Sequence, residues 1–334
     1  MMIEAFLVLV LAFLLDLVMG DPAYPFHPVR LMGRLVSFLE HTTRRIGWDS
    51  RLGGVILFSL SQSVVLCILF LLSKTLEAVH PVIETAFALF VCYSLIAFKD
   101  LVNHIGPVIE ALEKQDLEGT RKAVSLVVGR DVTFLDRPGL CRAAIETLAE
   151  NFVDGFLSPV FWYVIGALLG EALDVSPVLS GLCLMTAFKV TSTMDSMLGY
   201  RHEPYLRIGW AGARMDDLMN FIPARLSVAP LSISAMLTGC DLGSGLRTFL
   251  RDRLKHDSPN AAHGESFVSG ALHVRLGGPT RYAGGMKDKP WLGDEFPDPE
   301  PSDIKRSLSL IRASAWAAIL LGTLICNSVF RHGA

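Results

Sequence analysis

Charge is scarce in this chain. Of its 334 residues, 19% are charged and 51% apolar, whereas soluble domains carry nearer a quarter charged residues. Thirty basic side chains against thirty-three acidic ones leave a net charge of −3, so no polycation is available to neutralise nucleic acid. The six cysteines (67, 92, 141, 183, 240 and 326) form no CxxC pair. That excludes structural zinc on paired thiolates and a disulfide framework, and leaves apolar packing as their expected role. Phosphate loops of the GxxxxGK[ST] type are absent, as are a GxGxxG fingerprint after a strand and a GxSxG serine elbow. P-loop ATPases, Rossmann enzymes and α/β-hydrolases are therefore set aside.

Apolar residues, by contrast, are abundant and clustered, with a mean hydropathy of +0.44. Residues 53–73 (GGVILFSLSQSVVLCILFLLS) hold no charge and are long enough to cross a hydrocarbon core of about 30 Å. Residues 313–330 and 82–98 read as further spans, as does the N-terminal run bearing Asp16; 155–170 and 175–190 are weaker candidates. A signal peptide does not fit the first run, since Glu4 stands where a basic region belongs. Pro223, Arg225 and Pro230 interrupt 222–238, which suits a re-entrant or interfacial segment. The expected class is an all-α, polytopic integral membrane protein with about five to seven apolar helices, one of them re-entrant.

Basic residues gather in 20–52, in 99–153 (seven) and in 239–312 (eleven), which places these segments in the cytoplasm. The expected organisation is one membrane-embedded domain over 1–334, with a cytoplasmic helical insertion at 99–153 and a cytoplasmic loop region at 239–312. Within the insertion, Ile105, Val108, Ile109 and Leu112 recur at helical spacing. A second helix is expected after Arg137-Pro138-Gly139, because Pro suits a first turn. The loop 276–302 is too rich in Gly and Pro for any regular element.

Polar residues beside apolar runs mark sites by default, and four clusters stand out. The first holds Asp21, His27 and Arg30, with Arg34 beyond. The second holds Glu146, Glu150, Asn151 and Asp154. Lys189, Asp195, Arg207, Arg214, Asp216, Asp217 and Arg225 form the third. Ser258, Asn260, Glu265, Arg275, Gly277, Gly278 and Lys289 form the fourth. Ordinary readings compete with chemical ones. Asp21 and Ser258-Pro259-Asn260 suit turns or caps, and the carboxylates at 146, 150 and 154 suit a solvated stripe. His256 and His263 fit lone histidines better than metal ligands. Asp195, Asp216 and Asp217 resist such readings best. Carboxylates hold Mg²⁺ through one or two oxygens and leave its other positions to phosphate. Arginines and lysines neutralise phosphoryl groups, and Gly-rich turns let backbone N–H groups approach them. From residues alone, the chain is a membrane enzyme or transporter that handles phosphorylated substrates. Transporters usually carry paired repeats with broken helices, and no repeat is visible.

Four strings carry a family resemblance: GDPAYPFHPVRLMGRL, ENFVDGFLSPVFWYVIG, KVTSTMDSMLGYRHEPYLRIGWAGARMDDLMNFIPARL and HDSPNAAHGESFVSGALHVRLGGPTRYAGGMKDKPWLGD. In order and along nearly the whole chain, they resemble the adenosylcobinamide-phosphate synthases of cobalamin biosynthesis. Members usually read SPNAGWPEAAMAGAL or SPNAGHPEAAMAGAL, from which Ala262, Gly264 and Ser266 depart while Asn260 and Glu265 match. Ser192 stands where the family commonly has Asn. The resemblance implies an inner-membrane ligase that joins adenosylcobyric acid to (R)-1-amino-2-propanol O-2-phosphate or ethanolamine phosphate. ATP and Mg²⁺ are the implied co-substrate and metal. Membrane lipid is an expected partner, alongside a homo-oligomer or other membrane enzymes of the corrinoid pathway, and nucleic acid is not. On this reading Asp195, Asp216 and Asp217 hold Mg²⁺–ATP, with Lys189 and Arg207 on its phosphates. His27, Arg30, Asn260 and Arg275 meet the corrinoid carboxylate or the amine's phosphate. Glu150 or Glu265 takes the proton of the attacking ammonium. Asp21, Asn151, Asp154, Arg214, Arg225, Ser258, Gly277, Gly278 and Lys289 complete the expected substrate contacts. The competing class is a transporter or a non-catalytic signalling relative.

Overall fold

The computed structural model describes residues 2–22, 24–200, 202–282 and 285–333. Helices dominate it. In chain order they begin α1 (Met2–Met19), α2 (Pro28–Arg45), α3 (Arg51–Val79), α4 (Pro81–Leu95), α5 (Phe98–Glu113), α6 (Leu117–Ser125) and α7 (Arg137–Asn151). A π-helical segment, Phe152–Leu157, leads into α8 (Ser158–Ala172) and α9 (Pro177–Leu198). Then come α10 (Trp210–Met219), α11 (Phe221–Leu226), α12 (Val228–Thr238), α13 (Leu242–Asp252), α14 (Ala261–Leu272) and α15 (Pro301–Gly333). Among the described residues, six stretches are long and apolar enough to cross a membrane: 2–19, 51–79, 81–113, 137–172, 210–238 and 301–325. The expectation of an all-helical multi-pass membrane protein holds. The run 210–238 keeps helical geometry through Pro223 and Pro230 as three short helices, and by length and composition it qualifies as a span. The α9 helix, which takes in 177–190 of the 175–190 candidate, is not among the six.

Local chemistry sets the helix ends. Asp136 accepts the Gly139 N–H (2.9 Å) with Pro138 in the first turn, so α7 starts where the sequence indicates. Asp116, Ser50 and Asp241 start α6, α3 and α13 in the same way. On α5, Ile105, Val108 and Leu112 are buried at the expected helical spacing. The five described cysteines are free thiols; Cys326 lies outside the described side chains.

The chain divides into two compact units. One comprises residues 1–97, 158–220 and 322–334; the other comprises 98–157 and 221–321. In the first unit, α8 and α9 meet along small residues. A Cβ on Gly166 would lie 2.4 Å from the Ser180 carbonyl oxygen, the close backbone approach that membrane helices use. Val36 of α2, Leu57 of α3 and Met194 and Leu198 of α9 bury themselves around Ile208. In the second unit, α13 packs on α14, where a Cβ on Gly270 would lie 2.5 Å from Ser244 O.

One expectation fails. The 276–302 segment contains regular structure: β1 (Leu276–Gly277) pairs antiparallel with β4 (Trp291–Leu292), and β2 (Thr280–Tyr282) with β3 (Gly285–Lys287). The glycines read as disrupting the chain supply its turns, with φ of +77° at Gly277 and +79° at Gly278, values that a side chain rarely tolerates. Strands of two or three residues leave no alternation for a sequence pattern to reveal.

Candidate functional site

In the second unit a buried carboxylate group is built from two helices. α7 places Glu146 and Glu150 one turn apart. α14 packs against it so closely that a Cβ on Gly264 would lie 3.1 Å from Ala149 O. Glu146, only 3% exposed, pairs with Arg130, and its Oε1 accepts the Gly277 N–H at 2.7 Å. Glu265 is buried, and burial first, then the charges of Glu146 and Glu150, push its carboxyl well above the usual range. Lys289 and Arg130 pull the other way without cancelling that rise. Glu150 and Asn151 are exposed, and Asp154 is half-buried in the π-helical segment that follows. Such wide turns recur at functional sites. Of the sequence stripe, Glu146 is buried, Asp154 half-buried and Glu150 solvated.

The loop after α14 is held by a second charged network. Asp298 accepts Arg275 at two oxygens (2.8 and 2.6 Å) and Arg142 at 2.8 Å. Both guanidinium groups lie over the Trp291 ring, at 4.4 and 4.7 Å from its centre. Asp252, fully buried, receives Arg251, Lys255 and the Gly293 N–H, each at 2.8 Å. Burial alone would raise its pKa, but these donors outweigh it and hold it at about 2. Arg275 is thus committed to Asp298 and Trp291. The Gly277 and Gly278 amides bond to Glu146 and to Pro290 O, so they build the loop.

At the start of α14, Ser258 Oγ accepts the N–H groups of Asn260 (3.3 Å) and Ala261 (3.4 Å), the capping role weighed from sequence. Arg225 donates to Phe221 O (2.6 Å) and reaches Asn260 Oδ1 at 3.4 Å. His263 is buried edge-on to Phe249, and burial together with Arg225 lowers its pKa to about 4. It is neutral at physiological pH.

The first unit arranges its polar residues differently. His27 is buried and bonds to Asp21 at 2.8 Å. Tyr93 Oη donates to Gly20 O at 2.5 Å and fixes the turn that carries them. Arg30, Arg207 and Arg214 are exposed, and Lys189 and Asp195 are half-buried on α9. Gly199 is forced by Asp195: a Cβ there would lie 1.9 Å from Asp195 Oδ1. α9 and α10 cross at Met194 and Gly212, next to Asp195 and Arg214. Asp216 accepts Asn220 Nδ2 at 3.0 Å, and Asn220 in turn accepts Ser158 Oγ at 2.6 Å, so a buried relay orients one carboxylate. Among the described residues, no group of three or more His, Cys, Asp or Glu side chains is placed to hold a metal by itself.

Sequence reasoning gave no role to Arg130, Arg142, Asp252 or Asp298; it singled out Ser158 and Asn220 beside the second and third clusters but did not pair them. Only proximity in the fold reveals these partners, although a polar group beside apolar sequence was a signal.

These features can be set beside known proteins. Residues 9–311 match the family described as CobD/Cbib protein. The cobalamin biosynthesis protein CobD of Pelobacter propionicus is 40% identical over 318 residues, covering 95% of this chain and 94% of its own. CobD of Yersinia enterocolitica is 38% identical, covering 94% and 95%. The cobalamin biosynthesis protein CbiB of Salmonella typhimurium is 36% identical, covering 93% and 94%. No solved structure matches. A chain whose residues 9–311 match this family and which is 40% identical to a relative over 95% of its length belongs to the CobD/CbiB family of cobalamin biosynthesis proteins.

Proposed function

We propose that the protein is an ATP-dependent amide ligase that joins adenosylcobyric acid to (R)-1-amino-2-propanol O-2-phosphate or ethanolamine phosphate. The product is adenosylcobinamide phosphate. Full-length membership of the family supports this reading, and one observation carries the chemistry: Glu265 is buried beside Glu146 and Glu150, and burial first, then their charges, raise its carboxyl well above the usual range. An amine arrives as an ammonium ion, and a carboxylate whose pKa is raised is a stronger base toward its proton. An unperturbed glutamate is too weak a base for that.

Forming an amide also requires activating the corrinoid carboxylate, because hydroxide leaves poorly near neutral pH. ATP supplies that activation as an acyl phosphate, releasing ADP. The amine nitrogen then attacks the acyl carbon, the carbon–oxygen bond to phosphate breaks, and inorganic phosphate departs. Glu265 accepts the ammonium proton. Glu150, exposed on the same group, is the alternative acceptor.

The acidic residues of the first unit fit Mg²⁺ carried by a nucleotide better than a resident metal. Among the described residues no three of them gather into a metal group by themselves, and Mg²⁺ takes only one or two carboxylates when phosphates and water fill its other positions. Asp195, Asp216 and Asp217 are the candidates to supply that share, and Mg²⁺ bound there would neutralise phosphate charge. Lys189 and Arg207 lie on the same unit to meet phosphates. His27, Arg30 and Asn260 are assigned to the corrinoid carboxylate or the amine's phosphate, with Asp21 orienting His27. Asn151, Asp154, Arg214, Arg225 and Lys289 are further contacts. Arg275, Ser258, Gly277 and Gly278 act by shaping their loops. The protein is placed in the inner membrane, its motif-bearing loops facing the cytoplasm where nucleotide is available.

The test is reconstitution of the purified protein with adenosylcobyric acid, each amine phosphate and Mg²⁺–ATP, products being read by mass. The expected result is the amide with one ADP and one phosphate. A folded protein giving no amide from either amine contradicts the reading.

A further inference from the structure

Two guanidinium groups of the second unit stand apart from their neighbours. Arg130, Arg142, Arg251 and Arg275 each hold a carboxylate there. Arg225 and Arg253, both half-buried, have no carboxylate within ion-pair distance among the described residues. Arg225 donates to Phe221 O at 2.6 Å, and Arg253 donates to Leu250 O at 2.7 Å. Carbonyl oxygens orient these side chains but do not balance their charge. An unbalanced cation is costly where it is partly buried. One inside an apolar run such as 210–238 marks a site by default.

Both groups meet the first turn of α14. Asn260 stands at its N-cap, yet the side chain makes no capping bond, and Oδ1 meets Arg225 at 3.4 Å instead. His263, three residues on, is 1% exposed, and its Nδ1 is buried with no hydrogen-bond partner among the described residues. Its ring lies edge-on to Phe249 at 5.8 Å, and the Arg253 guanidinium lies 5.5 Å from the centre of that same Phe249 ring. Both arginine charges act on His263 and, with burial, keep it neutral. Two cations without a carboxylate, a buried nitrogen without a partner and the positive end of a helix together describe an anion site. Two cations favour a dianion, and a phosphate monoester carries about two negative charges at neutral pH where a carboxylate carries one. We propose that Arg225, Arg253 and the first turn of α14 bind the phosphate group of the amino-alcohol phosphate, with His263 as a neutral hydrogen-bonding partner. The identity of the monoester rests on the ligase reading; the site itself rests on this cluster. A neutral imidazole adds a hydrogen bond there without a third positive charge.

Equilibrium dialysis of the full-length protein in detergent against radiolabelled ethanolamine phosphate reads binding without turnover, and inorganic phosphate and ATP are tested beside it. Arg253→Gln weakens ethanolamine phosphate by about thirtyfold, the scale of one charge-assisted hydrogen bond. Arg225→Gln, an independent variant on another helix, loses affinity likewise. Arg253→Lys keeps the charge and stays within about fivefold of the parent. His263→Phe keeps a ring, removes Nδ1 and costs about fivefold, the scale of a neutral hydrogen bond. Inorganic phosphate displaces ethanolamine phosphate from the parent, while ATP affinity is the same in parent and variants. Arg247→Gln, on the exposed side of α13, leaves all three ligands unaffected. Melting temperatures equal to the parent's separate lost ligand from lost fold. Folded Arg253→Gln and Arg225→Gln proteins that bind ethanolamine phosphate as the parent does overturn the proposal, even where the parent makes the amide. Loss of ATP in place of ethanolamine phosphate gives the site to the nucleotide and overturns it too. Phosphate binding that depends on Arg253 in a protein making no amide upholds the site and contradicts the ligase reading alone.

Discussion

The two units of the molecule treat charge in opposite ways. In the unit of residues 98–157 and 221–321, carboxylates are buried or half-buried and multiply bonded: Glu146 to Arg130 and Gly277, Asp252 to Arg251, Lys255 and Gly293, and the half-buried Asp298 to Arg142 and Arg275. In the other unit, Arg30, Arg34, Arg207 and Arg214 stand exposed, and the acids Asp195, Asp216 and Asp217 are half-buried. Buried charges are costly unless paired, so they survive where they shape backbone or tune a proton. Exposed cations are inexpensive and serve mobile anions. The first arrangement suits proton transfer and loop construction; the second suits nucleotide and phosphate.

Four substitutions or titrations sharpen that contrast. The largest effect falls on Glu265→Gln, which keeps volume and removes the base; amide formation drops by about a thousandfold while folding is retained. A variant within threefold of the parent takes Glu265 out of the chemistry. Glu146→Ala leaves Arg130 buried without its carboxylate and frees the Gly277 amide. A loss of about 3 kcal/mol is expected in chemical unfolding, and a loss under about 0.5 kcal/mol shows the pair to be ornamental.

Asp217→Asn belongs to the open unit and should act on rate, not stability. We expect at least about a hundredfold loss, roughly 2.7 kcal/mol of barrier, with partial recovery at high Mg²⁺. Full activity removes Asp217 from the nucleotide. The smallest effect is pH dependence. Above about pH 4.3, where an unfolded glutamate has lost its proton, folded Glu265 still holds one. Stability falls as pH rises through that window, while turnover rises as the base ionises. Asp252 works in the opposite sense: its carboxylate, held at about 2, contributes stability at neutral pH that is lost as the medium is acidified toward that value. Melting curves and rates between pH 4 and 9 check the first pair of trends. Glu265→Gln should flatten both.

Much of the fold was legible in sequence because its signals are local. The apolar run at 53–73 announces α3, and Asp136 with Pro138 announces the start of α7. The acidic and basic strings announced the family. What was not legible depends on distance along the chain. Glu146 finds Arg130 16 residues back and Gly277 131 residues ahead, and nothing in either string names the other. Arg275 reads as a free cation until Asp298 is seen beneath it. The hairpin glycines read as breakers because a turn at positive φ and a disordered loop have the same composition.

The central claim is that the corrinoid carboxylate is activated by phosphate before the amine attacks. It is tested most directly with adenosylcobyric acid carrying ¹⁸O in that carboxylate, turned over with Mg²⁺–ATP and amine phosphate, and the released phosphate weighed by mass spectrometry. The account predicts one ¹⁸O in each inorganic phosphate and none in ADP. Label appearing in AMP, or a departing oxygen released only as water, contradicts it.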